Sequence, residues 1–200
     1  MSSHQRGYVH QTLRRDTASA HHALDHHPLM QRLTSSELTC EQYAESLAAM
    51  YRPHAWLEQR VHQSRHHFET RLHLSPRLEL LEADLLELGW PVPAVSPTPA
   101  EPSDGRASWW GRVYVLEGSR QGSAVIARCI QSSLFDTVPC RFFSEARISG
   151  EYDTLLAILE HELEAHEALE QAVASARAAF AAYRAELEAF DSMKGDVEMR

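Results

Sequence analysis

The 200-residue chain is short of cysteine, of positive charge and of long apolar runs, and each shortage removes a class of protein. Its three cysteines, Cys40, Cys129 and Cys140, are odd in number and form no C-x-x-C pair. Neither a disulfide framework nor a thiolate zinc site is therefore expected, and a reducing cytoplasm suits the chain. A formal charge of −9 with neutral histidines argues against a surface that tracks phosphates, so no nucleic-acid partner is expected. No segment approaches the ~18 apolar residues of a membrane span, and the N-terminal stretch lacks the apolar core of a signal peptide. A soluble cytoplasmic protein with no membrane partner follows as the expectation. There is no G-x-G-x-x-G fingerprint, no alternating strand pattern with hairpin signals and no repeat of solenoid length. The expected fold is all-α, with residues 1–200 forming one domain.

Helical punctuation is frequent in what is there. Thr12 to Asp25 reads as a first helix, with Thr12 as its N-cap and Pro28 past its end, leaving residues 1–11 as a flexible tail. In 39–67, Tyr43, Leu47, Met50, Tyr51, Trp56 and Val61 keep a helical rhythm that Pro53 is expected to kink or divide. Residues 76–89 open with proline at the first helical position and close with a C-cap glycine. Five prolines between positions 91 and 102 make 91–105 a surface loop. Ser108 to Ser133 reads as an apolar-rich helix. Residues 150–190, dense in Ala, Leu and Glu, read as one or two more, with 191–200 a second flexible tail.

Two stretches hold candidate chemistry. TASAHHALDHHPLM, residues 17–30, carries four histidines in seven positions. Stepping by three and four from His21 meets Thr17, Leu24 and Pro28, with Leu13 and Ala20 on or beside the same stripe, so His21 is expected on the buried face. His22 falls with Ala18, Asp25 and Leu29 on a mixed flank. His26 and His27, just before Pro28, are expected at a wet, fraying end. A histidine on an apolar face is ordinarily a hydrogen-bonded core residue, so periodicity alone leaves its role open. In YVLEGSRQGSAVI, residues 114–126, Gly118 and Gly122 share a helix face, with Ser119 and Ser123 on the adjoining strip. Each interior glycine costs about 1 kcal/mol relative to alanine, and two so placed bare the backbone to whatever lies over it. Either another helix packs there or a flat ligand does.

Together, LRRDTASAHHALDHHPLMQRL, residues 13–33, and YVLEGSRQGSAVI resemble the proximal and distal helices of haem oxygenases. Thr17 and Asp25, four residues either side of His21, set the register. ARAAFAAYRAEL, residues 176–187, resembles a late helix of the same family. The resemblance implies a helical domain holding haem between the two helices, and a biliverdin-producing oxidoreductase. Haem, both cofactor and substrate, would be cleaved by dioxygen to biliverdin, carbon monoxide and ferrous iron. Electrons would come from an external reductase or ferredoxin, and the purpose would be bilin supply to a photoreceptor or iron recovery. The resemblance also implies His21 as axial iron ligand and Asp25 as the partner that fixes its tautomer. Gly118, Ser119, Gly122 and Ser123 would be the distal residues, with Arg14, Arg177 and, more loosely, Arg15 and Tyr183 partnering the haem propionates. Ser119 stands where animal members carry an aspartate; a hydroxyl donates and accepts hydrogen bonds but holds no charge.

Other metal chemistries fit less well. EHELEAHE, residues 160–167, fails the H-E-x-x-H pattern because His161 and His166 are five apart. Glu162 with His166 and Glu58 with His62 stand at i, i+4, not at the Glu-x-x-His spacing of a di-iron carboxylate bundle. A non-haem metal oxidase on a similar fold and a non-catalytic helical haem-binding protein are the alternatives.

Overall fold

The computed structural model describes residues 7–64, 72–95, 105–135, 138–145 and 150–198. Among them the chain is helical with no strand. In order come α1 (Tyr8–Asp25), α2 (Pro28–Gln31), a 3₁₀ turn (Arg32–Thr34), α3 (Cys40–Ser64), α4 (Leu78–Glu87), α5 (Arg106–Leu134), α6 (Arg141–Ser144), α7 (Glu151–Glu162) and α8 (His166–Glu198). No helix of the described residues is long and apolar enough to cross a membrane.

Several boundaries differ from expectation for one physical reason. The first N–H groups of a helix need partners, and here carboxylates on distant helices provide them. Helix α1 begins at Tyr8 behind Gly7, which offers no side-chain cap. Thr12, expected as the cap, lies buried inside the helix, and residues 8–11 are helical. The missing acceptor is Glu160 on α7, which takes the amides of Val9 at 3.1 Å and His10 at 2.9 Å. Pro76 likewise lies outside α4. Arg77 is its N-cap, and Glu58 of α3 accepts from the amides of Arg77 at 2.5 Å and Leu78 at 3.2 Å. Asp84 of α4 accepts from the Phe142 amide of α6 at 2.9 Å.

The end of α4 follows the sequence. Gly89 takes φ +70°, and the bonds Trp90 N–H to Leu85 O and Gly89 N–H to Leu86 O close the paired turn that a C-terminal glycine permits. Pro53 lies within a continuous α3 and does not divide it. The last segment is two helices, and α8 runs through the expected second tail as far as Glu198. Residues 91–95 of the proline-rich loop are irregular, while 96–104 lie outside the described residues.

The core forms two clusters. One joins Val9 and Leu13 of α1, Leu57 and Val61 of α3, Trp109 to Leu116 of α5, and α7 with the first half of α8. The other joins Leu29 and Leu33, Tyr43 to Tyr51 of α3, Ala127 to Leu134 of α5, and α4 with α6. Helices α5 and α8 approach closely where Gly111 meets Ala172, and a Cβ on Gly111 would overlap the Ala172 carbonyl. That contact is small-residue helix packing.

Candidate functional site

Helices α1, α3, α5 and α8 each run from one cluster toward the other, and most of the sequence-predicted site residues lie at these crossings, Arg177 standing just before the one on α8. On α5 the buried apolar run stops at Leu116 and resumes at Ala127; Gly118, Ser119, Gly122 and Ser123 occupy the interval. On α8 the interval runs from Phe180 to Leu187 and on α3 from Tyr51 to Leu57, while His21 lies between Leu13 and Leu29.

His21 follows buried Thr17 by one turn. Its side chain is 59% exposed, against the expectation of burial. Beyond Thr17, helix α1 runs past the first cluster, and the ring that stands beside His21 is that of Phe180 on α8, with centroids 5.5 Å apart and nearly perpendicular planes. His21 Nδ1 is 2.7 Å from Asp25 Oδ2. That hydrogen bond raises the His21 pKa above its usual value, against the opposing effect of burial. With Nδ1–H given to the carboxylate, the Nε2 lone pair of the neutral ring is available to a metal.

His27 is a second correction. It is buried, and its Nδ1 accepts from the Leu29 amide at 3.3 Å as the cap of α2, whose first residue is Pro28. Burial lowers its pKa. Arg14 and Arg177 are exposed, and Arg177 Nε donates to the Asp16 carbonyl at 2.6 Å, tying α8 to α1. Arg15 pairs with the Asp16 carboxylate at 2.7 Å. Tyr183 is turned inward, with its hydroxyl donating to the Met50 carbonyl at 3.4 Å.

On α5 the two readings of the glycine pair separate. A Cβ on Gly118 or Gly122 would meet nothing within 4 Å. Among the described residues no helix packs there; the packing glycine is Gly111, which the sequence pattern did not single out. The serines beside the bare strip are held from behind by Arg77. This buried guanidinium donates to Ser119 Oγ at 2.7 Å and Ser123 Oγ at 3.3 Å. Ser119 donates in turn to the Leu116 carbonyl at 2.6 Å, and Ser123 to the Ser119 carbonyl at 3.2 Å.

Burial, followed by the nearby Arg120 cation, lowers the Arg77 pKa to about 10. Its face lies over the Phe142 ring, 4.8 Å from the centroid. The backbone amide of the same residue is gripped by Glu58, which also lies 3.1 Å from His54 Nε2. Burial lowers the His54 pKa. Burial alone would raise the pKa of Glu58, but the hydrogen bonds from His54, Arg77 and Leu78 hold it below the usual carboxylate range. The available clue to Arg77 was electrostatic: a cation at a helix N-terminus, where the macrodipole disfavours it, needs another reason to be there.

Two lines of comparison bear on this geometry. The Heme oxygenase family model matches residues 8–90, which include α1, α3 and α4. A haem oxygenase of Xanthomonas campestris is 36% identical over 108 residues, covering 52% of this chain and 63% of the relative. Over residues 8–90 the chain is therefore similar to haem oxygenases in sequence. The chain thus spans under two thirds of that relative. Fold similarity reaches further. A haem oxygenase from Neisseria meningitidis, solved with NO and CO bound, superposes with a TM-score of 0.69 at 22% identity, covering 91% of both chains. One from Leptospira interrogans gives 0.66 at 15%, covering 90% of this chain and 98% of that one. One from the cyanobacterium Synechocystis, solved in complex with haem, gives 0.65 at 14%, covering 96% and 95%.

The residues present fit haem. A neutral imidazole with its second nitrogen tied to a carboxylate is a suitable axial donor for haem iron, and a helix face bare at two successive turns admits a flat macrocycle. Among the described residues, no group of three or more His, Cys, Asp or Glu is disposed to hold a metal ion, so the di-iron alternative has no ligand set there.

Proposed function

We propose that this chain is a haem oxygenase that binds haem between α1 and α5 and cleaves it to biliverdin, carbon monoxide and ferrous iron. The observation that carries this reading is the open space over Gly118 and Gly122. Helix α5 gives up two side chains there, at about 1 kcal/mol each, with no gain in protein packing. Bound haem would supply both the iron at which dioxygen is activated and the macrocycle that is opened. His21 would hold the iron through a ring nitrogen, with Asp25 holding its tautomer and orientation. Arg14 and Arg177, at the α1–α8 edge, would pair with the propionates. Gly118 and Gly122 would keep bulk away from the reacting face.

Ser119 and Ser123 act as oriented acceptors. Each hydroxyl proton is committed to a backbone carbonyl and one lone pair to Arg77, so each oxygen keeps one lone pair to accept a hydrogen bond in a direction that Arg77 fixes. Arg77 thereby places a charge behind the position where animal members carry an aspartate. Arg77 and Ser123 also line a cavity of about 890 Å³ with Glu117, Arg120 and Glu145, which connects the network to solvent. Electrons would come from an external reductase or ferredoxin. A cytoplasmic setting is part of the proposal, supported by a cysteine count that is odd and without C-x-x-C spacing, and the reaction would serve bilin supply to a photoreceptor or iron recovery.

The test adds haem to the purified chain and then supplies electrons in air. A Soret band should form and decay as biliverdin absorbance rises and carbon monoxide is trapped by ferrous myoglobin. A stable Soret band would identify a non-catalytic haem binder, and no band at all would remove haem from the account.

A further inference from the structure

Two side chains touch the His21 ring, and they differ in rigidity. One is Asp25, whose side chain is 53% exposed. A carboxylate at the surface follows the ring when the ring turns and keeps its hydrogen bond to Nδ1. The other is Phe180 on α8, whose ring centroid stands 5.5 Å from that of His21 with the planes at 75°. Phe180 is only 7% exposed and belongs to the first core cluster, where close packing leaves a side chain little freedom. Edge-to-face contact is also the arrangement that the charge distribution of two aromatic rings favours at this distance.

The two helices are tied together beside this contact. Arg177, one turn before Phe180 on α8, donates from Nε to the Asp16 carbonyl of α1 at 2.6 Å. Ala20 and Leu24, on either side of His21 along α1, pack against the same first cluster as Phe180. The backbone under the imidazole is therefore set as firmly as the ring beside it. The imidazole cannot turn toward α8 without meeting a ring that has nowhere to go.

We propose that Phe180 is a positioning residue that sets the plane of the His21 imidazole, while Asp25 sets its tautomer. The inference rests on haem as the ligand of His21. An axial imidazole overlaps with the iron orbital perpendicular to its ring, so the direction of the ring plane decides how unpaired spin is divided between the two axes of the macrocycle. Orientation of a ligand ring by its outer shell is one of the means by which a protein tunes a haem site. Asp25 without Phe180 would give a correctly protonated ligand whose plane is not fixed.

The experiment compares the cyanide-bound ferric haem complexes of the parent, Phe180→Leu and Asp25→Asn by EPR and proton NMR. It also compares the iron–imidazole stretch of their ferrous haem complexes by resonance Raman. Phe180→Leu should shift the low-spin g values and the spread of the haem methyl resonances, with the iron–imidazole stretch retained. Asp25→Asn should lower the stretching frequency and keep the order of the methyl resonances. A loss of core packing alone would produce no such division, and melting temperatures of the variants check folding. Should Phe180→Leu fail to fold, the haem-free parent decides: cross-relaxation between the ring protons of His21 and Phe180 is expected. Unchanged g values and methyl spread in folded Phe180→Leu, or no cross-relaxation between the two rings, would each overturn the inference and leave His21 as the ligand. A parent complex without an iron–imidazole signature would instead remove the haem reading, and the inference with it.

Discussion

Three glycines on one helix illustrate the residue scale. Gly111 lies against the Ala172 backbone, whereas Gly118 and Gly122 face open space, so the same substitution should act in opposite directions. Gly111→Ala should lower the stability of the haem-free protein by about 1–3 kcal/mol through overpacking, since backbone rather than a movable side chain stands in the way. Gly118→Ala should raise it by about 0.5–1 kcal/mol, because an interior helical glycine is costly and nothing opposes the methyl. Urea midpoints of the two variants check both signs. Gly122→Leu should leave the melting temperature of the haem-free protein near that of the parent and sharply reduce biliverdin formation; equal losses in both would mean that a packing role had been missed. The Gly118–Gly122 spacing was legible in the sequence. Its meaning was not, because a bare helix face reads the same whether a helix or a ligand covers it, and only the position of α8 distinguishes them. Arg77 was hidden for a similar reason: its serine partners lie about forty residues away in sequence, at 42 and 46 positions.

Among the elements, helix identity was legible and helix starts were not. Apolar rhythm and the Gly89 turn are local features that survive reading one residue at a time. The N-termini of α1, α4 and α6 are held by Glu160, Glu58 and Asp84, each on another helix, so local cap rules pointed to Thr12 and Pro76 in error. Glu160→Ala should cost about 1 kcal/mol, the usual worth of an N-cap. Hydrogen exchange should localise the loss as faster exchange at the Val9 and His10 amides. A uniform loss of protection across the protein, with no excess at those amides, would show that Glu160 stabilises something other than the start of α1.

For the whole molecule, the two-cluster core places its polar groups at the seam, and pH should act there. His54 and His27 are buried, and burial lowers the pKa of each in the folded state, so the unfolded chain takes up their protons first. Their contribution is therefore complete above the unfolded value near ~6.5 and is lost as pH falls through the lowered folded values, at up to about 1.4 kcal/mol per pH unit for each proton. His21 has the opposite sign. Its pKa is raised by Asp25, so its contribution is present below ~6.5 and fades as pH rises through the raised value; solvent around its 59% exposed side chain keeps that contribution small. The net expectation is a urea midpoint that falls between about pH 7 and about pH 5.5, with the slope reduced in a His54→Gln variant. A midpoint unchanged across that range would show that neither buried histidine is neutral in the folded state.

At the same scale, the all-α class and the helices α1 and α5 were legible in the sequence, but the degree of exposure of His21 was not. That depends on where the first cluster ends relative to α1, which no local pattern records. The central claim is that His21 binds haem iron through Nε2, and the most direct measurement is the EPR and resonance Raman spectrum of the haem complex of His21→Ala. The account predicts loss of the iron–imidazole signature with haem still bound, and its return when free imidazole is added. An unchanged iron–imidazole signature in His21→Ala would contradict it and assign the iron to another residue.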